Sequence, residues 1–269
     1  MKPLATIRML ALLVIGLWSG GPLRGQTDTV APLTIEDIQQ LPDTTLRLAF
    51  HFVGLPDGRN FLAEDQDSLL LAYGNNERLR ADILIYYTLQ ELNKRFRSGM
   101  LDYEASKDTK IRFAHARQVD KTIERAYFYA HGERLRSVPG VYNVVFQPHP
   151  GPRPPSASTG GIGSRTIRIY NTLQGYLDGG TDTWSPGRYL AHEIGHTLSL
   201  DHTFKCDNPC AGQGFDPLEE CYGECVDHNH GSDKVNCFGG SPRQLVMGYG
   251  SQVHFTVCEV ERMWRWLLR

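Results

Sequence analysis

The chain has 269 residues, 41% of them hydrophobic and 22% charged, which is enough apolar side chain to bury a substantial core as one domain or two lobes. A formal net charge of −2 argues against nucleic acid or an anionic membrane surface as partner. Lys2 and Arg8 flank the start of an apolar run over 9–18, which is followed by the small residues Ser19, Gly20 and Gly21. About ten residues are too few for the roughly 20 a helix needs to cross a bilayer, so residues 1–25 read as an export signal cleaved near Gly25. The competing reading is a retained N-terminal anchor. Residues 26–43 form a short polar segment ending at Leu41-Pro42-Asp43.

Residues 46–53 alternate loosely and stop at a Gly/Pro turn, which predicts a first strand. Over 77–97, Ile85, Leu89, Leu92 and Phe96 recur at intervals of four, three and four, the signature of a helix with one buried face. Residues 111–114 and 141–146 read as further strands, 148–164 as a Pro/Gly/Ser-rich loop, and 166–170 as another strand. Ser185-Pro186 supplies an N-cap and a proline at the first helical position. In the helix that follows, Tyr189, Leu190 and Ile194 are expected to face the core. Near the C-terminus, Thr256-Val257-Cys258-Glu259 is a capping-box pattern, followed by Val260, Met263, Trp264 and Leu267 at helical spacing as a packing face.

The helix begun at Pro186 carries His192-Glu193-Ile194-Gly195-His196, and His202 follows six residues later. Histidines four apart sit on one helix face and can reach one Zn²⁺, whereas Glu193 is placed to take a proton from a metal-bound water. His202 requires the helix to stop and turn back. Three imidazoles leave one coordination position open, the mark of a catalytic rather than a structural zinc site.

All six cysteines (Cys206, Cys210, Cys221, Cys225, Cys237 and Cys258) follow this motif. An even count behind an export signal predicts disulfides, with fifteen pairings open; the competing reading of the two C-x-x-x-C pairs is a second zinc site. The loop they staple has little apolar periodicity and needs cross-links to offset its ordering entropy. Asp207, Asn208, Asp216, Glu219, Glu220, Glu224, Asp227 and Asp233 give that loop hard oxygen ligands suited to Ca²⁺, the alternative being a solvated polar loop without EF-hand spacing. His228 and His230 lack a helical frame for a metal, and His254 has no derived role.

The H-E-x-x-H-x-x-x-x-x-H run, with Leu245-Val246-Met247-Gly248-Tyr249 after it, resembles the metzincin clan of zinc endopeptidases, whose pattern ends in a methionine turn. His202-Thr203-Phe204, the later cysteines, Met247-Gly248-Tyr249 and Phe255-Thr256-Val257-Cys258-Glu259 are most similar to the pappalysin (ulilysin-like) family, over about residues 186–269. The resemblance implies an α+β metzincin-like catalytic domain over 44–269. Its upper lobe, about 44–199, would hold a twisted mixed sheet and two long helices, and a smaller disulfide-bonded lower lobe would span about 200–269. It implies one Zn²⁺ on His192, His196 and His202, Glu193 as general base, Met247 as an apolar floor, and Tyr249 as a hydrogen-bond donor to the reaction oxyanion. In such a domain the strand over 166–170 would be the edge that pairs with a protein or peptide substrate.

One departure is Ser199, where the family has glycine at a left-handed turn; serine there costs about 1–3 kcal/mol of backbone strain. Residues 26–43 are too few for a separate inhibitory prodomain, and no cysteine precedes Cys206 to cap a latent zinc. The expected product is a secreted, periplasmic or cell-surface metalloendopeptidase with no membrane contact after signal cleavage. A zinc amidase or deacylase of non-protein amides, or a catalytically silent binding module, remain open at this point. Residues 250–257 contain no Asp or Glu, which predicts a neutral or apolar preference after the scissile bond.

Overall fold

The computed structural model of the protein describes residues 33–64, 66, 69, 76–97, 107–119, 124–149, 151, 156–179, 185–202, 245–248 and 254–269. Within the short polar segment 26–43, Thr34 opens a short helix α1 (Ile35–Gln40) through a reciprocal capping box with Asp37. Its Ile35 and Ile38 are buried, so this polar stretch contributes to the core after all.

The sheet is built on β1 (Thr44–Val53), whose last six residues are all buried. Continuous burial, rather than alternation, is what a strand covered on both faces requires. β1 pairs in parallel with β2 (Ile111–His115) and, further along the same edge, with β3 (Tyr127–Tyr129). On its other side lies β4 (Tyr142–Gln147), also parallel. β4 is followed by parallel β6 (Thr166–Tyr170), and β5 (Ala157–Thr159) closes the sheet as an antiparallel strand on β6. This corrects the expectation for residues 166–170. That strand is internal, hydrogen-bonded on both sides, and the edge is β5, three residues inside the stretch read as a loop.

Against the sheet pack α2 (Ala81–Arg97) and α5 (Pro186–Thr197); of two short helices, α3 (Ala116–Val119) lies between β2 and β3, and α4 (Thr172–Leu177) between β6 and α5. Leu84, Ile85, Leu89, Leu92 and Phe96 form the buried stripe of α2. The predicted helix over 77–97 is broken. Residues Glu77–Leu79 form a 3-10 turn, and Arg80 is extended. The cause is competition for hydrogen bonds: Leu62 N–H donates to Leu79 O (2.8 Å) and Ala81 N–H donates to Leu62 O (2.9 Å). The two long helices approach closely at Gly187, where a Cβ would lie 2.9 Å from Thr88 O and from Glu91. Only glycine allows that crossing.

The core runs without interruption from Phe50, Phe52 and Phe146 under α5 to Met247, Phe255, Met263 and Trp264. The Phe52 and Phe146 rings stack at 5.2 Å between centroids. The last helix, α6 (Val257–Leu267), starts at the predicted capping box of Thr256 and Glu259 and buries Val260, Met263 and Trp264. It is tied to earlier parts of the chain by Trp264 Nε1–H donating to Thr109 O (2.6 Å) and by Ile35 N–H donating to Glu261 (3.0 Å). Among the described residues no helix is long and apolar enough to cross a membrane.

Candidate metal centre and cleft

Helix α5 begins with Pro186 at its first position, but Ser185 makes no side-chain capping bond. Proline's fixed φ, rather than the serine hydroxyl, sets the start. The helix ends at Leu198 and reverses through Ser199, whose φ is +75°. Leu200 N–H donates to Gly195 O (3.0 Å) and Ser199 N–H to His196 O (3.2 Å), the two bonds of a Schellman motif with Ser199 at the left-handed position. The turn expected of glycine is therefore made by serine. It returns the chain so that His202 faces His192 and His196.

Both helix histidines are oriented by backbone carbonyls. His192 Nδ1 lies 2.7 Å from Val246 O and His196 Nδ1 lies 2.9 Å from Leu200 O. A carbonyl only accepts, so each ring carries its proton on Nδ1 and turns a bare Nε2 lone pair to the cleft. Burial, followed by the nearby His196 and with Arg188 also contributing, pushes His192 down to about 4, which keeps it neutral. The three Nε2 atoms of His192, His196 and His202 stand 3.2 Å from one another.

With their protons on Nδ1, His192 and His196 have none to share at that distance, so lone pairs converging beside His202 Nε2 call for a cation. A tetrahedral ion about 2.0–2.1 Å from each nitrogen separates its ligands by about 3.3–3.4 Å, and the triangle matches this closely. The donor set, three imidazoles without thiolate or carboxylate, suits Zn²⁺ with an open position. Among the described residues these three histidines are the one cluster able to hold a metal ion.

Beneath the triangle, Met247 is fully buried and lies directly on Gly195, where a Cβ would overlap its sulfur. Gly195, which has no side chain, is what lets Met247 come so close. The turn bearing Met247 is held by Val246 N–H donating to His254 O (2.9 Å). His254 thus contributes through its main chain.

Above the triangle is a cleft of about 640 Å³, walled on one side by β5 and on the other by α5. Glu193 lines it while only 8% exposed, and burial pushes its carboxyl up to about 7. Tyr189, expected in the core, is half-buried in the cleft wall instead, together with Arg188 and Asp201. Sequence reasoning missed β5 and Arg188 as cleft residues. Arg188 carried a usable signal, because it is four residues before His192 and shares its face. Cys258 lies in the first turn of α6. Tyr249, the other five cysteines, the acidic loop residues, His228, His230 and residues 250–253 lie outside the described residues.

The peptidase M43 family model, described as pregnancy-associated plasma protein-A, matches residues 160–268. No curated protein matches the chain. Among solved structures, mature mirolysin of Tannerella forsythia in complex with a cleaved peptide is similar at 16% identity and a TM-score of 0.48, covering 82% of this chain and 91% of that one. A promirolysin variant from the same organism is similar at 15% identity and a TM-score of 0.49, over 82% and 80% of the two chains. The matched segment contains the edge strand's partner β6, the three histidines, Glu193, Met247 and the last helix. Over residues 160–268, then, the chain is similar to the peptidase M43 (pappalysin) family of metalloendopeptidases.

Proposed function

We propose that the protein is an exported zinc endopeptidase in which Glu193 assists the attack of water on a peptide bond. The observation that carries this reading is the 3.2 Å triangle of Nε2 atoms opening into the same cleft as the Glu193 carboxyl. His192, His196 and His202 would hold the metal. Zn²⁺ bound there would supply Lewis acidity and lower the pKa of water.

The remaining steps belong to the chain's own groups. The outer edge of β5 offers backbone N–H and C=O groups to an extended substrate, which would add to the sheet as a further strand. Glu193, one residue from a ligand and buried, takes the proton of the attacking water and passes it to the leaving amine. Tyr249, two residues beyond Met247, donates a hydrogen bond to the oxygen that gains charge. The Val246 and Leu200 carbonyls keep His192 and His196 in the tautomer the site needs. Around this centre, residues 1–25 act as export signal, 44–269 form the catalytic domain, and the six cysteines close disulfides over 205–258.

Zinc analysis of purified protein, paired with digestion of a peptide library, tests the proposal. One zinc per chain with hydrolysis is expected, Glu193→Ala retaining zinc but losing nearly all turnover. His202→Ala is expected to weaken zinc binding itself. Hydrolysis by zinc-loaded Glu193→Ala, or full zinc occupancy in His202→Ala, overturns the corresponding assignment.

A further inference from the structure

A second cavity, of about 760 Å³, shares no lining residue with the cleft of the metal centre. That volume is in the range of pockets that hold small organic molecules. Its walls come from α2, β2, α3 and β3. Ile85, Leu89, Phe113 and Phe128 make them apolar, and Phe128 stays 40% exposed although its ring stacks on Phe52. Helix α2 meets Gly187 of α5 through other residues, Thr88 and Glu91.

Most polar groups of this cavity are already engaged. The Asn93 side chain donates to Leu89 O (3.0 Å) and Phe113 O (2.9 Å) and accepts from Phe113 N–H (2.8 Å). Asp82 holds Arg80 at 2.8 Å, and Glu64 pairs with Arg125. Tyr86 and Gln90 are exposed. Two groups remain. Arg117 lines the cavity half-buried and has no carboxylate partner among the described residues. His115, only 8% exposed, packs its ring against Phe50 and has no hydrogen-bond partner at its buried Nε2. Burial, followed by the charge of Arg117, pushes His115 down to about 4. The imidazole is therefore neutral at physiological pH and leaves the guanidinium uncompensated.

A guanidinium meets a carboxylate through two parallel hydrogen bonds, and the aromatic wall beside it can cover the body that carries the carboxylate. A cation would be repelled by Arg117. A neutral apolar molecule would take water from the guanidinium and give nothing back.

We propose that this cavity binds a small organic monocarboxylate with an apolar body, the carboxylate on Arg117 and the body against Leu89, Phe113 and Phe128. The proposal stands apart from the endopeptidase reading, since no residue of the metal centre takes part.

The test uses the full zinc-loaded protein and three probes: phenylbutyrate, its uncharged counterpart phenylbutyramide, and acetate, a carboxylate without the body. Calorimetric titration should show phenylbutyrate binding about tenfold or more tightly than either of the others. In Arg117→Gln the acid and the amide should bind alike, and Arg117→Lys, which keeps the charge but not the fork, should fall between. Phe128→Ala should weaken acid and amide together. A local readout separates this site from a carboxylate bound to the metal. Followed by NMR across pH, His115 should titrate at higher pH with phenylbutyrate present, because a nearby anion favours the charged imidazole.

Equal binding of acid and amide by the wild type overturns the proposal, as does an acid/amide ratio unchanged in folded Arg117→Gln. A His115 titration indifferent to saturating phenylbutyrate overturns it too, by placing the acid elsewhere.

Discussion

Replacing Ser199 with glycine tests the turn that shapes the metal centre. Ser199 holds φ at +75°, and a non-glycine residue in that region costs about 1–3 kcal/mol. Glycine removes that cost but gives the unfolded chain more freedom, which takes back about 0.4–1 kcal/mol. The strain is the larger effect, so Ser199→Gly should stabilise the protein by about 0.5–2 kcal/mol. For a chain of this size that is a rise of roughly 1–8 °C in Tm, measured by circular dichroism on the metal-free protein. Ser199→Val should do the opposite, since a β-branched side chain tolerates positive φ poorly. Its zinc affinity should fall as well, because the same turn sets the Leu200 carbonyl that accepts from His196. A lower Tm for Ser199→Gly, or wild-type stability for Ser199→Val, would show that the turn is not left-handed and strained as described.

Other perturbations probe the contact of Gly195 with Met247, the buried Glu259 and the role proposed for Tyr249. Gly195→Ala gains about 1 kcal/mol of helix propensity, yet its methyl overlaps the buried Met247 sulfur, and overpacking costs about 1–3 kcal/mol. Zinc titration should show weaker binding, restored by adding Met247→Ala; failure of the double variant to recover removes that contact from the account. Glu259, 1% exposed, has its carboxyl pushed up to about 7 by burial. A group whose folded pKa is raised destabilises the fold progressively as pH climbs from about 4.5 to 7, by about 3 kcal/mol in all. Denaturant melts from pH 5 to 8 should therefore show a steeper fall in stability in wild type than in Glu259→Gln, which keeps the fall due to Glu193, and parallel curves would contradict the burial assignment. Tyr249→Phe should lower kcat more than it raises KM, by about 2.7–4 kcal/mol in transition-state binding, and wild-type kinetics would make it a packing residue.

The sequence made the metal centre legible because side-chain type carries the chemistry there. Histidine spacing on α5 and the offset of His202 translate directly into a converging set, and Thr256 with Glu259 marks the start of α6 by the same logic. The features that escaped are made by backbone. Val246 and Leu200 orient the histidines through carbonyls, which every residue possesses, so no residue type announces them. β5 is three residues long between Pro- and Gly-rich stretches, too short for alternation to register. Residues 166–170 alternate as well as an edge strand would, and their internal position depends on that unrecognised neighbour. Helix α2 starts late because Leu62, some twenty residues earlier, takes hydrogen bonds that local periodicity had assigned to the helix.

The bond from His192 to Val246 spans 54 positions of chain. Bringing such ends together costs about 3.5 kcal/mol of closure entropy from the length-dependent term alone. No local segment can assemble the centre, then, and a chain halted before residue 246 has two of its ligands on a helix but lacks the carbonyl that aims the first. Proteolytic competence is thereby deferred until residue 246 has emerged. Metal uptake and closure of the core around Met247 and α6 become a single thermodynamic event, so that stripping the ion should loosen the C-terminal segment well beyond the histidines themselves.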